Sequence, residues 1–322
     1  GNPGLKGSVG SHSAPGNERL ARRLRSMQPL LWALAVAVHA ALAGPALALL
    51  RHGNPELLEP GQGLHQAAST LNQDLGLRVL PLLETLVGSQ ENVTLVDVGA
   101  CDGDFGAGVG PYKSVSIDPV QSTLFKPNVR AVLVEPNPPV FAKLEERVHA
   151  SFGDSERIQL VQAAVSANTS GSVPFYVVSP KFMKDHPEAP HWLAQEISSL
   201  NRQHVLQHHT ASGLSEGQFA RYVEEISVPS RKPAELLAVA GLAPEGVDVL
   251  KVDAEGYDAD IVGAFMDVPS FSPKIIIFEA LHLPKRNLRS LVGRLEREGY
   301  QTDCNKIICP MNVLAFQRAY FP

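Results

Sequence analysis

The sequence predicts an α/β domain built on a mostly parallel sheet with helices on both faces, and three observations lead there. Short, continuously apolar and β-branched runs alternate with stretches of helical periodicity, the pattern of strands buried on both faces. Runs of this kind end in acids, at Asp97, Glu135, Asp253 and Glu279. A final pair of runs near the C-terminus, closing with Val313-Leu314-Ala315-Phe316, reads as an antiparallel hairpin. In parallel sheets ligands bind beyond the carboxyl ends of the strands, where the strand order reverses, so the terminal acids stand where a ligand would sit.

Residues 1–26 are rich in Gly, Ser, Asn and Arg and are expected to be a disordered or non-native extension. Leu30 to Ala43 form an apolar run that closes in Ala41-Leu42-Ala43, a cleavage pattern of secretory signals. With Met27 as the start, residues 27–50 read as a signal peptide. With Arg19, Arg22, Arg23 and Arg25 ahead of it, residues 30–50 read as a membrane anchor with its basic side cytosolic. Gly44 and Pro45 favour cleavage. The expected location is the secretory route, lumenal, secreted or anchored, and the cytoplasm if this segment is no signal. The sequons Asn92-Val93-Thr94 and Asn168-Thr169-Ser170 fit that route.

Residues 51–90 are expected to be a helical preface, with Leu64, Ala67, Ala68, Leu71 and Leu75 on one face and Pro81 interrupting it. The main domain is placed at residues 91–322. Its strands are Thr94–Val98, Ala131–Val134, Ile158–Val161, two short runs around the Gly turn of "AAVSANTSGSVPFYVV", "VDVLKVD", and "PKIIIFE". "NLRSLVGRLEREGY" is a helix stopped by Gly299. The chain has 322 residues, 44% of them apolar, and a formal net charge of −5, which excludes a general nucleic-acid footprint. Three cysteines are too few for a disulfide scaffold; Cys304 and Cys309 are spaced to pair across the hairpin in an oxidising lumen, and Cys101 reads as a small buried filler.

"TLVDVGACDGDFG" carries the chemistry. Asp97, Gly99, Asp102 and Gly103 follow a buried strand at a spacing that differs from the G-x-G-x-x-G of dinucleotide enzymes. S-adenosylmethionine fits such a loop: it has no pyrophosphate to cradle, and a carboxylate beside the loop suits its cationic groups. Glu135 suits its ribose hydroxyls, because a carboxylate accepts two hydrogen bonds in a fork. A Gly/Asp turn with nothing bound is the alternative.

The blocks "LVDVGACDGDF", "LVEPNPPVFAKLEE", "AAVSANTSGSVPFYVV", "ISVPS", "VDVLKVDAEGYDADIVGAF" and "PKIIIFEA" occur in the order seen in the FkbM family of S-adenosylmethionine-dependent methyltransferases, which residues 91–318 resemble. The resemblance implies a Rossmann-like class I methyltransferase fold with a seven-stranded sheet, and O-methylation of hydroxyls on sugars, glycans or small metabolites. By position it assigns Asp97, Gly99, Asp102 and Gly103 to the cofactor loop and Glu135 to the ribose. Gln162 stands where the family carries an acid at the third strand's end, beside the adenine. Residues 106–130 are longer and richer in Pro and Gly than the family's first helix and loop.

The acceptor side is placed at Asp253 and Glu279. One version has them hold Mg²⁺, an ion suited to oxygen ligands, as catechol-type methyltransferases do. The other makes Asp253 the base, with Lys251 structural. Asp253, Glu255 and Asp258 are also suited to capping the following helix. In "HWLAQEISSLNRQHVLQHH", His204 and His208 lie four apart on one helical face. The pair is read as a helix over the cleft, with His204 as a candidate general base and the rest of a zinc signature missing from the sequence. Two other functions stay open: a nicotinamide-dependent oxidoreductase on a similar sheet, and a binding module that has kept the fold.

Overall fold

The computed structural model describes residues 62–103, 118, 120–304 and 309–321. Residues 1–61, with the signal or anchor segment and the first residues of the preface, lie outside them, as do residues 104–117. The preface is helix α1, Gln62–Ser89. It runs through Pro81 rather than breaking there. Proline removes the bond that its N–H would give to the carbonyl four residues back. That residue, Leu77, is 67% exposed, so water can take the carbonyl's free lone pairs. The buried side of α1 is Leu75, Val79, Leu83 and Leu86, at helical spacing.

The central sheet has seven strands: β1 (Val93–Val98), β2 (Val129–Val134), β3 (Ile158–Val161), β7 (Val249–Val252), β8 (Ile275–Glu279), β9 (Tyr300–Thr302) and β10 (Asn312–Gln317). Their spatial order is β3-β2-β1-β7-β8-β10-β9. β3, β2, β1, β7 and β8 are parallel neighbours, while β10 runs antiparallel between β8 and β9. The expected sheet is thus present, with its hairpin inserted at the far edge. Strand order reverses between β1 and β7, the place where such sheets bind ligands.

Strand alternation divides the core. Val96, Val132, Leu250 and Ile276 face one side, packed with Leu236, Phe265 and Leu295 of helices α6 (Pro233–Val239), α7 (Asp258–Met266) and α8 (Lys285–Arg297). Leu95, Leu133, Val249 and Ile277 face the other, packed with α1 and with Leu144 and Val148 of α2 (Pro138–Phe152). Both faces are covered, which is why these strands read as continuous apolar runs.

The two short strands around the Gly turn do not join this sheet. β4 (Ala164–Val165) and β5 (Gly171–Val178) flank β6 (Val223–Arg231) in a separate three-stranded sheet. Between β5 and β6 the chain makes an excursion through α3 (Pro180–Asp185), α4 (Arg202–Gln207), a 3₁₀ turn His208–Ser212, and α5 (Glu216–Phe219). This segment has its own core of Phe182, Leu193, Val205 and Phe219.

Gly99 is fixed by packing. Its φ is +82°, and a Cβ built there would lie 1.8 Å from the carbonyl oxygen of Asp253. Gly213 also has a positive φ, +72°, but nothing lies within 4 Å of its missing Cβ. Gly99→Ala is therefore expected to cost about 3 kcal/mol or more, from overpacking added to backbone strain. Gly213→Ala should cost only about 1–2 kcal/mol, the left-handed conformation alone. Urea unfolding of the two variants measures the difference, and equal costs would show that β1 and β7 can part at this point.

Candidate functional site

At the carboxyl end of β1 the chain turns through Gly99, Cys101 and Gly103, all with positive φ. The N–H groups of Gly99 and Ala100 both donate to the carbonyl of Val134, at 2.9 and 3.0 Å, which ties the loop to β2. Glu135, the next residue after β2, completes the attachment. Its Oε2 accepts from the Cys101 N–H at 3.1 Å and its Oε1 from the Asn137 N–H at 2.8 Å. Burial pushes the Glu135 carboxyl up to about 8, although those two donors pull it down. Asp102 is held by Arg147 of α2 at 2.9 Å, and the same guanidinium donates to the Gly103 carbonyl at 3.0 Å. Burial also pushes the Cys101 thiol well up, which leaves it a poor nucleophile.

Asp97 does not present its carboxylate to this loop. It is fully buried, and its Oδ1 accepts from Lys251 Nζ at 3.1 Å. Its Oδ2 accepts from Gln121 Nε2 at 2.9 Å. Asp97 and Lys251 are register partners on β1 and β7, so the pair joins the two central strands. Asp118 closes the group at 2.9 Å from Lys251. Burial pushes the Lys251 ammonium down, but Asp118, Asp97 and Asp253 outweigh it and hold the group well above its ordinary value. Asp97, expected beside a ligand's cation, serves here as the internal counter-ion of Lys251 and as an acceptor for Gln121.

Beyond β7 and β8 the acids converge. Asp253, Glu255 and Glu279 place one carboxylate oxygen each within 4.8 Å of one another. Burial raises Asp253 and Glu279, and neighbouring acids add to it against the opposing charge of Lys251. Glu279 Oε2 is buried without a hydrogen-bond partner. Asp258, the first residue of α7, ties this turn to β8 rather than capping the helix: it accepts from the N–H groups of Ala254 at 3.2 Å, Gly256 at 3.2 Å and Glu279 at 3.3 Å. Burial raises it to about 7.

Glu255 is no cap. With φ at +50°, a conformation that side chains rarely adopt, it turns toward the excursion. Its Oε2 lies 2.7 Å from His204 Nε2 and 3.8 Å from His282 Nε2. His204 is only 6% exposed. Burial, with His282 and His208 adding to it, lowers His204 to about 3, so a general base working near neutrality is a poor description of it. Burial, with His282 adding to it, lowers His208 to about 4. The excursion is further pinned by Ser199 Oγ donating to the Glu255 carbonyl at 3.1 Å, and by Asn137 Nδ2 donating to Ser198 Oγ at 3.0 Å.

The structure thus gathers Gly99, Asp102, Gly103 and Glu135 at one strand-end turn, and Asp253 with Glu279 at the next. Gly99 sits against the Asp253 carbonyl between them. Gln162 follows β3 with its side chain exposed. Arg147, Asn137 and His282 were missed: Arg147 acts on a loop 45 residues away in sequence, while Asn137 and His282 lie close to Glu135 and Glu279 but no local pattern marks them.

A family model described as "Methyltransferase FkbM domain" matches residues 97–302, from the acid of β1 to the end of β9. The chain belongs to the FkbM methyltransferase family. Among solved structures, an FkbM methyltransferase from Methylobacillus flagellatus KT is 14% identical with a TM-score of 0.38. That match covers 70% of this chain and 44% of the other, so it spans less than half of that protein's length. A precorrin-6y C5,15-methyltransferase from Geobacter metallireducens GS-15 is 15% identical with a TM-score of 0.33, covering 76% of this chain and 88% of that one. A human methyltransferase 10 domain containing protein is 12% identical with a TM-score of 0.35, over 76% and 82% of the two chains. No curated protein matches. In this FkbM domain the oxidoreductase alternative has no support.

The raised Glu135 carboxyl has a consequence for stability. Its ordinary value is 4.5 and its folded value about 8. Between the two, the folded chain keeps a proton that the unfolded chain has released, so stability falls as pH rises across that window and levels above it. Glu135→Gln should flatten the decline by up to about 1.4 kcal/mol per pH unit. Urea midpoints at several pH values test this; an unchanged slope would mean that Glu135 is already ionised in the folded protein.

Proposed function

We propose that this FkbM domain transfers a methyl group from S-adenosylmethionine to a hydroxyl of a sugar, glycan or small metabolite. The observation that carries the reading is the junction at Gly99. On one side lies a glycine loop closed by Glu135, and on the other the acids Asp253 and Glu279, at the point where strand order reverses. The residues suit the donor. Each Glu135 oxygen accepts one backbone N–H, and a carboxylate has lone pairs beyond these for two ribose hydroxyls. Asn137 Oδ1, buried without a partner two residues on, is a further acceptor at this turn. Gln162 is assigned to the adenine.

S-adenosylmethionine supplies an activated methyl on a sulfonium. The chain's task is to hold the acceptor oxygen in line with it, and proximity and orientation supply much of the rate. As the new O–CH₃ bond forms and the S–CH₃ bond breaks, the hydroxyl proton passes to Asp253. A carboxyl whose pKa is raised by burial is a stronger base than an exposed one. In the alternative version Mg²⁺ between Asp253 and Glu279 would lower the acceptor's pKa; chelation separates the two.

Glu135→Ala is expected to weaken donor affinity about tenfold, since it removes two hydrogen bonds that contribute about 0.5–1.5 kcal/mol each. Asp253→Asn keeps shape and should abolish turnover while leaving donor binding near that of the parent. Calorimetry, together with transfer of labelled methyl to a glycan panel, reads both. Full activity in Asp253→Asn would move the base elsewhere, and donor binding without transfer to any acceptor would favour the binding module.

A lumenal site of action accompanies this reading. Its supports are the apolar run of residues 30–43, the Cys304–Cys309 disulfide, which persists in oxidising compartments, and the exposed Asn168 between β4 and β5. Among the described residues no helix is long and apolar enough to cross a membrane, and residues 30–50 lie outside that search. In a eukaryotic host the mature chain should begin near Gly44 and carry glycan on Asn168. Terminal sequencing that finds Met27 on a cytosolic, unglycosylated chain would reject it; an uncleaved, membrane-bound product would select the anchor.

A further inference from the structure

We propose that His204, His208, His282 and Glu255 form a binding site for a divalent transition-metal ion of the zinc class. Three segments distant in sequence bring these side chains together: the end of α4, the turn after β7 and the turn after β8. One ligand atom from each of the four lies within 4.8 Å of all the others. The imidazole centroids are 5.1 Å apart for His204 and His208, 4.6 Å for His204 and His282, and 5.6 Å for His208 and His282. A tetrahedral site with metal–nitrogen bonds of 2.0–2.1 Å has edges of about 3.4 Å. Small side-chain rotations therefore close the group on an ion.

Two details point to a ligand rather than to ring packing alone. His208 Nε2 is buried and has no hydrogen-bond partner, an arrangement that buried polar atoms rarely keep unless something else satisfies them. His204 is held on both sides, its Nδ1 accepting from Gln207 Nε2 at 3.0 Å and its Nε2 donating to Glu255 Oε2 at 2.7 Å. Metal-binding histidines donate their remote N–H to an acceptor, which the Gln207 amide oxygen supplies once that amide is turned over. The short His204–Glu255 hydrogen bond is the contact that the ion would replace. Trp192 stands edge-on to His208, with centroids 5.8 Å apart, and walls the site.

The donor chemistry selects the ion. Three imidazole nitrogens and one carboxylate suit Zn²⁺, Fe²⁺, Ni²⁺ or Cu²⁺, whereas Mg²⁺ prefers oxygen throughout. Four protein ligands make a closed set, the arrangement of structural sites. The ion would clasp the excursion to the ends of β7 and β8, beside Asp253 and Glu279. This site is distinct from the Mg²⁺ alternative above, although Glu255 also approaches those two acids.

The test uses the untagged full chain, stripped with chelator and dialysed against Zn²⁺ or Co²⁺ alone. One equivalent of Zn²⁺ should remain bound, Co²⁺ should give the visible bands of a tetrahedral nitrogen and oxygen site, and millimolar Mg²⁺ should displace neither. X-ray absorption of the zinc-loaded parent should show imidazole scattering. In dye competition, His208→Ala and His282→Ala should each weaken binding by more than about a hundredfold, beyond the 10–100-fold typical of second partners. His209→Ala, on the same turn but outside the group, should bind as the parent does. No retained Zn²⁺, absorption with oxygen scattering only, or parental affinity in both ligand variants would overturn the site. None of these measurements passes through methyl transfer, so an inactive protein tests the site equally well.

Discussion

The buried ion pair between Asp97 and Lys251 is the constraint on which the rest of the site depends. It joins β1 to β7 at the reversal of strand order, where no connecting segment links the two strands directly. Removing one member of such a pair is far more costly than never having built it, because the remaining charge is left unpaired away from water. The pair recruits more of the chain. Asp118 meets Lys251, and Gln121 joins Asp97 to the carbonyl of Ala100 at 3.0 Å. The 3₁₀ turn Gln121–Phe125 ahead of β2 is thereby held against the central strands, with Gln121 and Leu124 buried.

The sheet was legible because its signals are local. Continuous apolar runs gave the strands of β1, β2, β3, β7 and β8, and the alternation of helices with them gave parallel pairing. The three-stranded sheet was not. β6 mixes exposed and half-buried residues, with only Val228 and Ser230 buried, so its apolar residues form no run, and its partners lie far away in sequence. Pro81 misled for a related reason. A proline inside a helix removes one hydrogen bond and crowds the carbonyl four residues back; a solvent-facing turn absorbs this more readily, and sequence does not say which side of a helix meets water.

The site divides in the same way. Strand-end acids and loop glycines were found by position, because the fold dictates where they stand. What each does depends on neighbours that only the tertiary structure supplies. Asp97 has the signature of a ligand contact and is an internal counter-ion; Asp258 and Glu255, three apart in one motif, part into a tie across the turn and an arm toward the histidines. His204 and His208 were visible as a pair, but Glu255 and His282 complete the group from other strands. No spacing within one segment could have announced it.

The contact between Gly99 and the Asp253 carbonyl bears on how mutational scans of such domains are interpreted. A residue in a cofactor loop that loses binding on substitution is ordinarily assigned to the ligand. Here a methyl group added at position 99 would first meet the neighbouring strand. The glycine loop after β1 and the turn after β7 meet at this backbone contact, so under the proposed function damage to it would register in assays of both substrates. Separate loss of one affinity marks a ligand contact; joint loss marks the junction.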